Sequence, residues 1–588
     1  MADLHFTDAR ATDRERAVVD AAIGEDGPAV AVESERLVRG GTARRRERRH
    51  LLLPALHALQ HEMGWISPGG LNHAADRLQV PPADAYGVAT FYELFRTEAP
   101  THEGPVTHVC VDPACRIAGA DDLAAQVEAD GGHVHPSPCL GQCERAPARF
   151  VQGVATPDEV PADATAPVGV PRAGDPDLRL LCRIGVVDPT SLDDYRAHAG
   201  FEALARAVDI GPDAVIDAVD ASGLSGRGGA AFPTGRKWRA VRDAAGDRKH
   251  VVANCDESEP GTFKDRILME ADPFALVEAL TIAGLTVGAT QGWIYVRGEY
   301  PRATERLLAA IDQCRTAGLL GPDAVGSGLS FDIDLRRGAG AYICGEETAL
   351  FNSIEGFRGE PRNKPPYPTT HGLFGEPTAI NNPETLLNVL PVLVDGVDDY
   401  RSVGTADSPG TRLFCLSGHV AESGLYEVPF GTTLGALIDR AGGPTGDLAA
   451  ILLGGAAGKF VGPESMDLPL SLEGARAADA TLGSGVVMAF DTSVDLTDIV
   501  TRVAEFFRNE SCGQCVPCRV GTVRQHEILL QVGCNGRTIT DHQRTLVDDI
   551  AEAMGDSSIC GLGHTAASAV RSALDLGLIG GDAGSEHG

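Results

Sequence analysis

Positive charge is scarce in this sequence. Lys and Arg together number 50 against 82 Asp and Glu, a formal net charge of −32 with a pI near 4.9. A general nucleic-acid binder needs a basic footprint, so that class is excluded. Long apolar runs are missing as well: nothing approaches the ~20 consecutive apolar residues of a bilayer span, which argues against direct membrane insertion. The opening "MADLHFTDARATDRERAV" lacks the apolar core of a secretory signal, so a cytoplasmic location is expected, peripheral to a membrane only through partner subunits. Cysteine is sparse, 14 in 588 residues, too few for a disulfide scaffold and more in keeping with thiolates kept reduced for metal. No solenoid repeat is found, and no molybdenum, nickel or quinone-site signature.

What is present points to several domains. The length exceeds one core, and an apolar content of 43% is ordinary for globular chains. Residues 1–50 form a charged arm ending in the basic run "RGGTARRRERRH", read as solvated. In 51–153 the apolar spacing of Leu53, Leu56, Leu59 and Met63 is helical, a second helical stretch follows, and a first cysteine set comes after it. Residues 154–180, rich in Pro, Ala and Asp with little to bury, read as a linker. Strand-like and helical runs mix across 181–412, an α/β pattern. A small sheet holding one helix is expected in 413–492, and 493–588 is helical.

Two cysteine sets carry chemistry. In "ESCGQCVPCRVG" Cys512, Cys515 and Cys518 can face one point as a helix begins, and Cys560 in "SSICGLGH" offers a fourth thiolate. A triplet with one remote cysteine fits a [4Fe–4S] cubane; tetrahedral zinc is the rival. The second set, Cys110 and Cys115 with Cys139 and Cys143, suits a [2Fe–2S] centre in which each pair holds one iron. Zinc competes there too, with His133 and His135 nearby, although "GGHVHP" reads as a strand edge. Cys182, Cys255, Cys314, Cys344, Cys415 and Cys534 are scattered and read as small buried hydrophobes.

Between the sets lies "SGLSGRGGAAFPTGRKW". Its Gly226, Gly228 and Gly229 leave backbone N–H groups free to cradle a phosphate, with charge from Arg227 and Lys237. Asp256, Glu257 and Glu259 follow an apolar strand, Glu346 and Glu347 follow glycine, and "AINNPET" adds two amides. Carboxylates in such places meet ribose or ring N–H groups in α/β nucleotide sites.

These motifs, "GRGGAAFPTGRKW", "DESEPGTFKDR", "GAYICGEETAL", "INNPET" and "ESCGQCVPCRVG…SICGLG", resemble in order the FMN-bearing, NADH-oxidising subunit of respiratory complex I and its relatives in NAD-reducing hydrogenases and NAD-dependent formate dehydrogenases. Residues 51–150, with "LHALQHEMGWISP" and "YGVATFYELF", resemble that enzyme's thioredoxin-like [2Fe–2S] partner, so the chain looks like a fusion of the two. The resemblance implies a multidomain α/β chain: a helical and thioredoxin-like [2Fe–2S] domain, an FMN/NADH-binding domain, a ubiquitin-like β-grasp (SLBB-type) insert in 413–492, and a helical bundle holding the [4Fe–4S] cluster. It implies an NADH:acceptor oxidoreductase, a diaphorase that exchanges hydride between NAD(H) and FMN and passes single electrons to the [4Fe–4S] cluster. From there they would reach a further iron–sulfur subunit of a larger formate dehydrogenase, hydrogenase or complex I type assembly.

For FMN the resemblance implies Gly226, Arg227, Gly228, Lys237, Asn254, Asp256, Glu257, Ser258, Tyr342, Gly345, Glu346, Asn381 and Asn382. For NADH it implies Phe232, Glu259, Glu347, Lys364 and Tyr367. No side chain is assigned as acid, base or nucleophile. Three departures stand out: Ala231 replaces the usual Gly before Phe232, Ala240 replaces an aromatic, and the gap between Cys115 and Cys139 is short. "KWRAVR" is closer to the soluble hydrogenase and formate dehydrogenase branch. The alternative from another class is a zinc-stapled assembly scaffold without redox function.

Overall fold

A computed structural model describes residues 7–24, 48–102, 104–160, 169–534 and 538–579. The arm expected over 1–50 is partly a folded helix, Asp13–Ile23, started by a capping box of Thr12 and Glu15. Its Val19 and Ile23 are buried in the main core, because two apolar residues one turn apart give the charged segment a face to pack. Most of the basic run lies outside the described residues. Helices Leu52–Met63, Pro68–Leu78 and Pro82–Ala89 follow.

Strands β1 (Val106–Cys110), β2 (His133–Ser137) and β3 (Arg149–Gln152) form a sheet in the order β2-β1-β3, β1 parallel to β2 and antiparallel to β3. His133 and His135 thus sit on an edge strand, and helix Ala120–Ala129 spans the short gap between the cysteine pairs. The linker is corrected in its second part. Val170, Leu178 and Leu180 are buried, and the Glu427 carboxylate accepts the backbone N–H groups of Arg179, Leu180 and Leu181.

The central domain is built on four parallel strands, β4 (His250–Cys255), β5 (Gln291–Val296), β6 (Asp332–Arg337) and β7 (Thr378–Asn381), in the order β6-β5-β4-β7. Helix Pro273–Val287 is apolar on every side, and all but one of its residues are buried. The chain steps outward from β4 to β5 and β6, then returns to the other side of β4 for β7. The order therefore reverses between β4 and β7, and the crevice beyond their carboxyl ends is where α/β sheets bind ligands.

Strands β8 (Thr411–Gly418), β9 (Gly424–Pro429), β10 (Leu448–Leu453), β11 (Lys459–Val461) and β12 (Val486–Asp491) make a mixed sheet with helix Leu434–Arg440 and its own apolar core. The chain ends in helices Leu496–Glu510, Val516–Cys534, Asp541–Ser557, Gly561–Thr565 and Ser568–Asp575. One continuous core, from Val19 to Ile579, joins the other parts and takes in the opposite face of the β8–β12 sheet through Leu413, Cys415, Leu452 and Met488. Among the described residues no helix is long and apolar enough to cross a membrane.

Candidate flavin, nucleotide and iron–sulfur sites

The switch-point crevice gathers the central motifs. A Cβ at Gly228 would stand 3.2 Å from that of Asn382, so the glycine loop lies directly against the segment after β7. The Arg227 backbone N–H donates to Thr385 Oγ1 at 2.8 Å, and Lys237 Nζ to the Ile380 carbonyl at 2.8 Å. Asn254 Nδ2 donates to the Gly345 carbonyl at 2.8 Å, joining the end of β4 to the 342–347 turn. Trp238, fully buried, donates Nε1 to Asn381 Oδ1 at 3.0 Å. Ala231 has φ +49°, in the left-handed region that glycine adopts without strain. Ala240 is exposed on helix Thr234–Asp243.

The side chains divide by where they point. Asp256 Oδ2 is buried without a hydrogen-bond partner, and burial raises this carboxyl well above its ordinary value. An orphaned buried carboxyl oxygen, an amide at Asn254 and a cation at Lys237 fit the ring N–H and hydroxyl donors, the carbonyl acceptors and the phosphate of a flavin mononucleotide. Burial lowers the Lys237 ammonium, while the charge of Glu347 works to raise it. Phe232 and Tyr367 are 50% and 58% exposed, and the Lys237 ammonium lies 5.8 Å from the Phe232 ring centre. Lys364 Nζ donates to Glu346 at 2.8 Å and Glu347 at 2.6 Å.

Other expected groups are already engaged elsewhere. The Arg227 guanidinium, 1% exposed, donates to Tyr400 Oη at 3.1 Å and the Pro409 carbonyl at 3.2 Å, and lies over the Phe430 ring. It anchors the loop from behind, so its charge is not delivered to the cradle. Glu257 accepts the backbone N–H groups of Asp265 and Arg266 at 2.8 and 2.9 Å, capping helix Lys264–Ala271. Burial first, then the charge of Asp265, pushes its carboxyl up to about 8, against the pull of Lys264 and the two amides. Glu346 caps helix Glu347–Ile354 through Thr348 and Ala349. Asn382 caps Pro383–Leu387 and accepts from buried Lys264 at 3.0 Å. These four side chains are each held by partners within the fold.

Ser258 is buried. Glu259 accepts from Tyr342 Oη at 2.6 Å and from the Ala457 N–H at 2.7 Å, a contact reaching across from the five-stranded domain. Burial pushes it up to about 7, and these two hydrogen bonds oppose the rise.

All four cysteines of the first set are buried. Cys110 ends β1, Cys115 lies on helix Pro113–Ile117, and Cys139 and Cys143 flank the loop after β2. Cys139 Sγ and Cys143 Sγ are 3.6 Å apart, the spacing of two thiolates about 2.3 Å from one shared ion. Backbone N–H groups point at sulfur, Gly141 to Cys139 and Ala148 to Cys115, as outer hydrogen bonds to cluster ligands do.

In the second set Cys518 opens helix Val516–Cys534 and lies within 3.3 Å of Ser511 Oγ. Cys560 stands before Gly561–Thr565, and a Cβ at Gly563 would meet Cys518 Cβ at 3.2 Å, so the remote cysteine returns to the triplet. Burial raises the thiols of Cys512, Cys518 and Cys560, so loading a metal here must displace protons. Among the described residues no three His, Cys, Asp or Glu side chains converge on one point as a single metal ion requires. Of the scattered cysteines, Cys255, Cys314, Cys344 and Cys415 are buried; Cys182 is half-buried and Cys534 exposed, against expectation.

Sequence reasoning missed Lys264, Arg266, Arg297 and Glu510. Arg297 follows the apolar run "GWIYV" with no break, and a cation fused to a buried strand was the available signal. Glu510 accepts the Tyr342 N–H at 2.9 Å, tying the cubane segment to the flavin turn.

Comparison with known proteins gives four matching family models: the Nuo51 FMN-binding domain over 219–391, the NADH-ubiquinone oxidoreductase-F iron–sulfur binding region over 498–576, the thioredoxin-like [2Fe–2S] ferredoxin over 39–166, and the SLBB domain over 413–458. The chain is 41% identical over 402 residues to the HndC subunit of the NADP-reducing hydrogenase of Solidesulfovibrio fructosivorans, covering 68% of this chain and 81% of that protein. It is 42% identical over 386 residues to the F subunit of the NADH-quinone oxidoreductase of Aquifex aeolicus, covering 66% of this chain and 89% of that one. A crystal structure of an NAD+-reducing [NiFe]-hydrogenase in the air-oxidised state superposes with a TM-score of 0.75 at 31% identity, covering 89% of this chain and 91% of that one.

Proposed function

The chain belongs to the family of the FMN-binding F subunit of NADH-quinone oxidoreductase, with a thioredoxin-like [2Fe–2S] region fused ahead of it, and from that premise we propose what each part of the crevice does. The protein is an NADH dehydrogenase, an FMN- and iron–sulfur-dependent electron-transfer module. Bound FMN supplies the conversion between a two-electron hydride and single electrons. Lys237 and the Gly228 backbone hold its phosphate, the N–H groups of Gly226 and Arg227 being bonded to the Phe232 carbonyl and to Thr385 Oγ1; Asn254, Asp256 and Gly345 hold the ring and ribityl chain. Phe232 and Tyr367 bracket the nicotinamide nucleotide, with Glu347 and Lys364 at its diphosphate. Glu259 faces the same nucleotide and is oriented by Tyr342 and Ala457. Cys110, Cys115, Cys139 and Cys143 hold the [2Fe–2S] centre, and Cys512, Cys515, Cys518 and Cys560 the [4Fe–4S] centre.

The observation that carries this reading is the continuity from β4 to the clusters. The Asn254–Ser258 segment touches the 342–345 turn, and that turn is hydrogen-bonded to Glu510, two residues before Cys512. The relatives are named as subunits, so the module works within a multi-subunit redox assembly. Its immediate acceptor is a further iron–sulfur subunit, of formate dehydrogenase, hydrogenase or complex I type. A zinc-stapled scaffold finds no support in this family. Anaerobic addition of NADH to the purified protein tests the reading: flavin and iron–sulfur absorbance should bleach together, with six irons per chain for the two centres. A colourless, zinc-loaded protein refutes it.

A further inference from the structure

Buried charge is concentrated where the Cys139 loop meets the flavin loop, and one arginine at that junction belongs to neither. Arg297, just past β5, is 2% exposed. Its Nη1 donates to the Glu257 carbonyl at 2.7 Å, and its Nη2 donates to the Cys139 carbonyl at 2.7 Å and to Glu299 Oε1 at 2.8 Å. Its Nε is buried without a partner, and the side chain lines a small cavity with Cys139, Ser258, Tyr342 and Glu510. A second buried arginine grips the same loop: Arg266 Nε donates to the Gly141 carbonyl at 2.8 Å and pairs with Glu144.

Burying a guanidinium is costly, and neutral donors could clamp two carbonyls. A cation earns its place only if something beside it becomes more negative, and an iron–sulfur centre gains one negative charge on reduction. Hydrogen bonds and charge around the ligands are what set such potentials. Glu299 tempers the cation. Burial works to raise its carboxyl, but the charge and hydrogen bond of Arg297, with a backbone hydrogen bond and His108, together hold it below the ordinary value; the two form an ion pair at 2.8 Å.

Resting on the reading of Cys139 as a [2Fe–2S] ligand, we propose that Arg297 is a positioning residue that raises the reduction potential of the [2Fe–2S] centre and ties its ligand loop to the flavin-loop carbonyl of Glu257. In the reaction tested, the centre gains one electron from dithionite. No bond to the protein forms or breaks, and the guanidinium balances the added charge without a proton.

An EPR-monitored redox titration of the full-length holoprotein, with mediators and dithionite, reads the effect. At the wild-type midpoint, the double variant Arg297→Gln/Glu299→Gln should show a ratio of reduced to oxidised centre at least tenfold lower, about 59 mV for one electron. Glu299→Gln alone, which leaves the cation unbalanced, should shift the ratio the opposite way. Arg297→Lys, which keeps the charge but loses the fork, should fall between wild type and the double variant. Ratios within twofold of wild type in both Glu299→Gln and the double variant overturn the proposal. If the double variant fails to hold iron, the sign of the Glu299→Gln shift decides. A wild type without a [2Fe–2S] signal overturns the ligand assignment and this proposal together; a signal that is present and does not move overturns this proposal alone.

Discussion

Replacing Glu257 with alanine takes the acceptor away from two buried backbone amides, those of Asp265 and Arg266, and from the Tyr300 hydroxyl at 3.2 Å. Each buried N–H left without a partner costs about 1–3 kcal/mol, so the start of helix Lys264–Ala271 should lose about 2–6 kcal/mol of local stability. At 1.36 kcal/mol per factor of ten, exchange protection at the two amides falls between about thirty-fold and about twenty-five-thousand-fold. Glu257→Gln keeps one acceptor oxygen and should lose about half as much on a logarithmic scale. Hydrogen–deuterium exchange of the holoprotein, followed in peptides spanning residues 260–272, reads this directly, with flavin content measured in parallel. Flavin should be lost only as the helix start loosens. Unchanged exchange in Glu257→Ala with loss of FMN would refute the reasoning and return Glu257 to direct flavin contact.

Three further outcomes follow from the same geometry. Ala231→Gly relieves a left-handed alanine costing about 1–2 kcal/mol, partly offset by the ~0.5–1 kcal/mol entropic cost of glycine. FMN release, followed by flavin fluorescence, should slow about two- to fivefold, and faster release refutes the strain. The folded-state value of Glu259, about 7 against an ordinary 4.5, means that ionisation favours the unfolded chain, so its penalty is absent below pH 4.5 and grows to at most about 3 kcal/mol as pH rises through 7. Glu259→Gln should therefore gain denaturation midpoint over wild type between pH 5 and 8, and a gap that shrinks with pH refutes it. Cys518→Ala should abolish the [4Fe–4S] EPR signal and transfer to the native acceptor, with some NADH:ferricyanide activity left. A persisting cubane signal removes Cys518 from the ligand set.

The cysteine sets, the glycine loop and the order of the domains were legible because each depends on spacing within a few turns of chain. Helix Pro273–Val287 was legible only as one of the helical runs within 181–412. The helix at 13–23 was overlooked because its apolar face is narrow and its partners lie beyond residue 50. The anchoring of residues 179–181 is not legible in the sequence because its acceptor, Glu427, lies far along the chain.

The sequence by itself determined which groups exist to bind metal, phosphate and nucleotide, since residue type and local spacing set what a segment can donate or accept. Only the tertiary structure decided which way those groups face. Arg227 turns inward because Tyr400, 173 residues on, and Pro409 offer oxygens behind the loop. Glu257 turns to a helix start, and Arg297 reaches a cysteine carbonyl in another domain. A buried polar group goes to whatever partner packing brings within hydrogen-bond reach, and that partner comes from distant chain.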